Sequence, residues 1–143
     1  MKIVLASDHG GYQLKEAVKA ALEARGFELV DVGTHSEESA DYPLFGKQAA
    51  EYVASGQADR GVVFCGTGIG ISIAANKVHG IRCAVALNDE YVRLASAHNH
   101  ANMLALGGRF VDIGDALRYI DIWLGTPWEE GRHDRRVALL DEM

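Results

Sequence analysis

Five short apolar runs, each followed by a helical pattern, constrain the fold of this 143-residue chain more than any other feature. The runs show no polar alternation, which is typical of strands that are buried on both faces of a parallel sheet. Regular alternation of strand and helix places helices on both faces of such a sheet. The sequence therefore predicts an α/β protein with a three-layer, Rossmann-like fold, a five-stranded parallel sheet and a single domain over residues 1–143.

The same pattern gives the expected bounds of the elements. The predicted strands are Lys2–Ser7, Phe27–Val32, Gly61–Phe64, Ile81–Leu87 and Met103–Leu106. The predicted helices are Tyr12–Arg25, a helix opened by Asp41-Tyr42-Pro43, Ile71–Lys77, Asp89–Ala97, Asp112–Leu124 and Trp128–Leu140. Because ligands of such folds bind at the carboxyl ends of the strands, polar residues at those ends are the first candidates for a site.

Charge and cysteine content exclude some classes of partner. The formal net charge of −6 argues against a nucleic-acid-binding role that depends on a broad basic surface. Two cysteines are too few for a disulfide framework, and the N-terminus does not resemble a signal peptide, so we expect a reducing, cytoplasmic setting. No apolar run approaches the roughly 20 residues that span a bilayer, so we expect no membrane partner.

The stretch from Cys65 to Gly70 joins the third strand to a helix. Glycines at such a junction let backbone N–H groups turn toward an anion, and the helix N-terminus adds partial positive charge. The same field favours thiolate over thiol, so Cys65 is a candidate reactive residue, whereas Cys83 inside a strand is more typical of plain core. The loop residues that would line this site are Gly66, Thr67, Gly68, Ile69 and Gly70.

This loop matches none of three common anion-binding motifs. A phosphatase-type cysteine loop has an arginine six positions after the cysteine, and that position is Ile71, so the loop supplies no fixed cation of its own. No Gly-Lys-Ser/Thr follows, which excludes a Walker A motif. The turn after the first strand also lacks the G-x-G-x-x-G dinucleotide fingerprint.

Two pairs of polar residues offer acid–base chemistry. Asp8 and His9 follow the first strand and are either a helix cap with a surface histidine or a proton carrier with a phosphate ligand. His98 and Asn99 precede the fifth strand and are either polar surface or an acid/base beside an amide donor. Because no cysteine or carboxylate lies at ligand spacing near His98, we expect no metal site there.

Arg132 and Arg136 form the centre of the one basic cluster in an acidic chain. On a helix they lie at i and i+4, which is either a solvated face or a pair of guanidinium groups suited to bidentate phosphate binding. The cluster is far along the chain from the strand ends, so it could reach the site from a neighbouring subunit.

These motifs together resemble the sugar-phosphate isomerase family that contains ribose-5-phosphate isomerase B and the galactose-6-phosphate isomerase subunits. The resemblance covers nearly the whole chain. It is carried by Ser7-Asp8-His9-Gly10-Gly11, Asp41-Tyr42-Pro43, the run from Cys65 to Lys77, His98-Asn99, Gly107-Gly108-Arg109 and Gly131-Arg132-His133 with Arg136.

The resemblance implies an aldose–ketose isomerase of a phosphorylated pentose. The expected reaction converts ribose 5-phosphate to ribulose 5-phosphate in the pentose phosphate pathway, without metal or cofactor. The expected assembly is a homodimer or tetramer whose active sites are shared between subunits. Two alternatives stay open: an isomerase of a phosphorylated hexose such as allose or galactose 6-phosphate, and a non-catalytic, flavodoxin-like binding module.

The resemblance also implies residue roles. Cys65 would take the proton from C2 and return it at C1 through a cis-enediolate, and Thr67 would move a proton between O1 and O2. His98 would open the furanose ring, with Asp8 as its proton partner. A branch of the family uses a glutamate after the glycine loop instead of the cysteine; that place is Ile71 here, so the chain fits the cysteine branch. The substrate-binding residues would be His9, Tyr42, Gly66, Gly68, Ile69, Gly70, Asn99, Arg109, Arg132, His133 and Arg136.

Overall fold

The computed structural model describes residues 1–143 and contains one five-stranded sheet in which every strand pair is parallel. The strands run in the spatial order β2-β1-β3-β5-β4. This architecture confirms the predicted fold class. The strands are β1 (Lys2–Ser7), β2 (Glu28–Asp31), β3 (Arg60–Cys65), β4 (Cys83–Val85) and β5 (Met103–Gly107).

Helices cover both faces of the sheet because its side chains alternate between two apolar cores. Ile3 and Leu5 of β1 face the core beneath α1, α4 and α5, whereas Val4 and Ala6 face the core beneath α2 and α3. A single 3₁₀ turn, His9–Gly11, links β1 to α1. The helices are α1 (Tyr12–Ala24), α2 (Tyr42–Ala54), α3 (Ile69–Asn76), α4 (Asp89–Ala97), α5 (Ile113–Gly125) and α6 (Arg132–Asp141).

The last helix begins four residues later than the sequence predicts. Helix α6 starts at Arg132 rather than Trp128, because Glu130 has φ 59° and Gly131 has φ 61°, values that a right-handed helix cannot contain. The early residues instead form an irregular segment whose Glu129 N–H donates to Ala97 O. This segment brings Glu129 close to the end of α4.

The fourth strand is shorter than the predicted run from Ile81 to Leu87. As an edge strand, β4 pairs only with β5, and its register joins Cys83 to Met103 and Val85 to Ala105. The residues before it are held differently, since the Asn102 side chain accepts from Arg82 N and donates to Gly80 O. None of the six helices combines the length and apolar character required to cross a bilayer.

Candidate active site

The strand order reverses between β1 and β3, and the helices that follow these two strands, α1 and α3, pack on opposite faces of the sheet. Such a switch point leaves a crevice at the carboxyl ends of the strands. Ten of the predicted site residues lie around it, and we call them the carboxyl-edge cluster: Asp8, His9, Tyr42, Cys65, Gly66, Thr67, Gly68, Ile69, Gly70 and Arg109.

Cys65 is the last residue of β3 and is nearly buried, with 4% of its surface exposed. Its Sγ accepts a hydrogen bond of 3.1 Å from the N–H of Gly68. Gly68 has φ 83°, a left-handed conformation that a glycine adopts without strain, and this turn directs its N–H back to the sulfur. The loop therefore presents a backbone donor to the Cys65 sulfur at the start of α3.

The hydroxyl of Thr67, in the same loop, accepts a hydrogen bond of 3.1 Å from Ile69 N. The amides of Gly68 and Ile69 therefore already have intrachain acceptors, whereas those of Gly66 and Thr67 have none. Of the five loop amides from Gly66 to Gly70, those of Gly66, Thr67 and Gly70 have no intrachain acceptor and are left free to donate.

Asp8 and His9 are fixed by backbone amides. Asp8 is buried, and its Oδ1 accepts from Gly11 N at 3.1 Å, so it does cap the first turn, as one of its two sequence interpretations expects. His9 Nδ1 accepts from Ala40 N at 3.1 Å. Both side chains line a cavity of about 530 Å³ together with residues 39–44. The site therefore has room beside Asp8 and His9 for a small ligand.

Tyr42 and Arg109 close over the glycines of the loop. A Cβ placed on Gly70 would lie 2.7 Å from Tyr42 Cε1 and Cζ, so only a glycine lets the phenol ring pack there. A Cβ placed on Gly66 would lie 3.1 Å from Arg109 Cζ, which puts this guanidinium directly beside the loop. The loop itself has no arginine, but Arg109 supplies a cation from the residues that follow β5.

The other five predicted residues lie together at the opposite edge of the sheet, and we call them the amino-edge cluster: His98, Asn99, Arg132, His133 and Arg136. The rings of His98 and His133 are stacked, with centroids 4.2 Å apart. Arg132 and Arg136 are exposed and share α6, as the i, i+4 spacing predicts. Asn99 lines a second cavity of about 400 Å³.

The carboxylate beside His98 is not predicted from the sequence. Glu129 Oε1 lies 3.7 Å from His98 Nε2, and no short-range pattern signals this contact because the two residues belong to different elements. Burial and the neighbouring His98 and Arg132 lower the pKa of His133 below its ordinary value. His133 Nε2 is itself buried without a hydrogen-bond partner.

His98, Glu129 and His133 bring three potential metal-ligand atoms within 4.8 Å of one another. Two histidines and a glutamate form a known zinc donor set. The imidazole planes, however, are only 18° from parallel, so a single ion could not lie in the plane of both rings. The cluster in this arrangement is a stacked pair beside a carboxylate rather than a preformed metal centre.

The two clusters are separated by the length of a strand. The register pairs Gly61 with Met103 at the amino edge and Cys65 with Gly107 at the carboxyl edge. These four residue steps correspond to about 13 Å of parallel strand. Within one chain, Asp8 therefore does not meet His98, and neither the arginines of α6 nor Asn99 meet Cys65. The structure thus divides the predicted site into two half-sites.

A buried ion pair between Lys15 and Asp31 is also not predicted from the sequence. Lys15 lies on the apolar face of α1 and is fully buried, and its Nζ donates to both carboxylate oxygens of Asp31 at 2.7 Å. Despite the cost of desolvation, hydrogen bonds from Lys15, from the Gly33 amide and from Lys19 lower the pKa of Asp31. The sequence shows a lysine among apolar helix positions, but no pattern in it indicates which residue is the buried partner.

Comparison with known proteins gives consistent matches over almost the entire chain. The family model described as Ribose/Galactose Isomerase matches residues 3–140. Ribose-5-phosphate isomerase B of Escherichia coli K12 is 46% identical over 139 residues, which are 97% of this chain and 93% of that protein.

Solved structures match as closely. Ribose-5-phosphate isomerase B of Clostridium thermocellum has a TM-score of 0.97 and 54% identity, covering 99% of this chain and 96% of that one. The Mycoplasma genitalium ribose-5-phosphate isomerase B with bound ribulose-5-phosphate has a TM-score of 0.92 and 36% identity, covering 99% and 94%. The fold, the cysteine-bearing switch point and these matches lead to one conclusion: the chain belongs to the Ribose/Galactose Isomerase family.

Proposed function

We propose that the protein interconverts ribose 5-phosphate and ribulose 5-phosphate through a cis-enediolate, with Cys65 as the base. The observation that carries this proposal is the position of the Cys65 thiol, at the switch-point crevice and under the Gly68 amide. Relatives named ribose-5-phosphate isomerase B, among them one solved with ribulose-5-phosphate, support the pentose substrate.

The chemistry requires a base and a stabiliser of negative charge. A proton on C2 beside a carbonyl is only weakly acidic, so Cys65 removes it while donors hold the enediolate oxygens. The free amides of Gly66 and Thr67 are suited to this task, and each such donor is worth roughly 3 kcal/mol in a transition state. The Thr67 hydroxyl then moves a proton between O1 and O2. A reducing cytoplasm suits a catalytic thiol of this kind.

The amino-edge cluster supplies the remaining functions. His98 acts on the furanose ring oxygen, and Asn99 donates to the enediolate. Arg132 and Arg136 bind the phosphate from α6, where two guanidinium groups share one helix face. His133 joins them, and His9 and Arg109 bind the phosphate from the carboxyl-edge cluster.

Because the predicted residues fall into two separate half-sites, we expect each active site to be formed by two copies of the chain. A two-fold axis that joins the carboxyl edge of one copy to the amino edge of the other produces two equivalent sites. Helix α3 suits such an axis, because it runs from the carboxyl edge toward the amino edge and exposes Ile69 and Ile73, each 56% accessible. Two such helices packed antiparallel would bury these side chains and bring opposite edges together.

Turnover measurements test the activity directly. We expect the purified protein to convert ribose 5-phosphate to ribulose 5-phosphate at the same rate with and without a chelator. Allose 6-phosphate and galactose 6-phosphate serve as competing substrates, and exclusive turnover of a hexose phosphate would replace the pentose assignment. Binding of sugar phosphate without any turnover would instead favour a non-catalytic binding module.

A further inference from the structure

The residues between β2 and α2, 32–41, pass beside the site, and we call them the β2–α2 strap. Near its end, Ala40 N donates to His9 Nδ1 at 3.1 Å. A ring nitrogen that accepts a hydrogen bond carries no proton, so the ring proton of His9 lies on Nε2. Nε2–H is then the donor that His9 offers to the cavity of about 530 Å³ that it lines.

The beginning of the strap is clamped to β1. Ser7 N donates to Gly33 O at 2.7 Å, and Thr34 N donates to Ser7 O at 2.7 Å. Asp31 Oδ1 accepts from Gly33 N at 2.9 Å, so the carboxylate holds the first turn of the strap. These contacts set the direction in which the strap leaves the sheet toward His9.

Asp31 is in turn held by Lys15. The Lys15 side chain is completely inaccessible and that of Asp31 is only 7% exposed, so this is a buried ion pair. Such a pair is a weak stabiliser, because well-packed apolar residues of similar volume often serve as well or better. Apolar residues, however, could not accept the hydrogen bond from Gly33 N. The ion pair therefore has a specific role, because it holds the Asp31 carboxylate in place as the acceptor for the strap.

We propose that Lys15 and Asp31 are positioning residues that act through the strap to hold His9 in the Nε2–H tautomer, with this donor facing a bound phosphate. The proposal rests on the proposed function in so far as the phosphate belongs to the sugar substrate. The tautomer itself depends only on the contacts between Asp31, Gly33, Ala40 and His9.

The decisive variant is the double substitution Lys15→Met/Asp31→Leu, which keeps the core apolar and removes the acceptor for Gly33. The matched control is Arg25→Met/Asp121→Leu, which removes an exposed ion pair that also involves the end of α1 but lies away from the strap. Two readouts are used on ¹⁵N-labelled protein: the tautomer of His9 from long-range ¹H–¹⁵N spectra, assigned with His9→Gln, and the binding of inorganic phosphate.

In the wild type and the control, we expect a single Nε2–H tautomer of His9. In the double variant, we expect mixed tautomers and phosphate binding weakened by about three- to ten-fold, the effect of one misaligned hydrogen bond. An Nδ1–H tautomer in the wild type overturns the proposal. So does a folded double variant with unchanged tautomer and phosphate affinity, even if its melting temperature falls.

A second variant removes the risk that the double variant does not fold. Ala40→Pro deletes the N–H donor near the α2 end of the strap and leaves Lys15 and Asp31 in place. We expect the same mixture of His9 tautomers, and an unchanged Nε2–H tautomer contradicts the role of the strap. Because neither readout uses turnover, loss of the proposed isomerase activity and loss of this positioning role give separate results.

Discussion

The ring of His98 lies almost parallel to that of His133, 4.2 Å away, at the edge of the sheet opposite Cys65. A mechanism that uses both Cys65 and His98 on one substrate therefore needs two copies of the chain. Experiments that combine a change at the Cys65 edge with a change at the His98 edge therefore distinguish a shared site from two unrelated surface clusters.

Replacement of the proposed base gives the first prediction. We expect Cys65→Ala to lower kcat by about 10²–10⁴-fold, the usual contribution of a positioned base, while folding and sugar-phosphate binding are largely kept. Steady-state kinetics and calorimetric binding measure the two effects. Cys83→Ala is the control, since burial raises the pKa of the Cys83 thiol to about 12 and leaves it protonated at neutral pH. Full activity of Cys65→Ala would show that another group is the base.

Mixing of two impaired variants, assayed at a substrate concentration well below the wild-type KM so that both are slow, tests the shared site. Cys65→Ala removes a carboxyl-edge residue and Arg132→Ala an amino-edge residue, so a mixed dimer contains one intact site. After co-refolding of equal amounts, we expect about a quarter of the wild-type activity, because half the dimers are mixed and each has one good site.

The control for mixing uses two variants of the same edge. Cys65→Ala and His9→Ala both damage the carboxyl-edge cluster, so each site of their mixed dimer is defective. We expect no recovery from this pair, and equal recovery from both mixtures would contradict the shared site.

Phosphate binding by α6 gives the third prediction. Arg132→Ala should raise KM roughly ten- to hundred-fold, because a charge-assisted contact to the phosphate is lost. Lys77→Ala removes an exposed cation beyond the end of α3 and should change KM little. Substrate-saturation curves for the two variants check this difference, and equal small effects would indicate that the basic cluster is only surface.

Glu129 is expected to assist His98. Glu129 Oε1 lies 3.7 Å from His98 Nε2, close enough for the carboxylate to orient the ring. Glu129→Gln should therefore lower kcat/KM by about three- to ten-fold. Glu130→Gln, one residue along the same exposed segment, is the control and should behave as the wild type. If the two variants have the same kinetics, Glu129 has no role in the reaction.

The fifth prediction concerns stability at acidic pH. His100 is stacked on Trp128 at 4.3 Å, and burial together with Arg82 and Arg60 lowers the pKa of His100 below its ordinary value of 6.5. Its unfolded form thus binds a proton more readily than its folded form, so the free energy of unfolding is greatest above this value and falls as the pH drops through it.

Calorimetric melting at about pH 7.5 and about pH 5.5 measures this effect. We expect His100→Gln to show a smaller fall in Tm between the two pH values than the wild type. His35→Gln, which changes an exposed loop residue, should leave the fall unchanged. An identical fall in all three proteins would mean that His100 does not contribute.

Much of the fold was predictable because local patterns encode it. The apolar runs that became β1, β3 and β5 are buried on both faces, and helix α1 follows the i, i+4 spacing of Leu14, Val18 and Leu22. Two predicted bounds were wrong where contacts and backbone conformation, rather than the hydrophobic pattern, decide. Gly131 with its positive φ delays α6, and Gly80 and Arg82 bind the Asn102 side chain instead of extending β4.

The sequence by itself determined which side chains are candidates for the chemistry and that a glycine loop would hold Cys65 at the start of a helix. Those features are local, since a few consecutive residues define a strand end, a turn and a helix start. Only the tertiary structure decided which residues meet. About 13 Å of parallel strand separates the sheet edge where His98 and the α6 arginines lie from the edge where Cys65 lies. Contacts such as Glu129 with His98 and Lys15 with Asp31 join distant elements, so no short pattern records them.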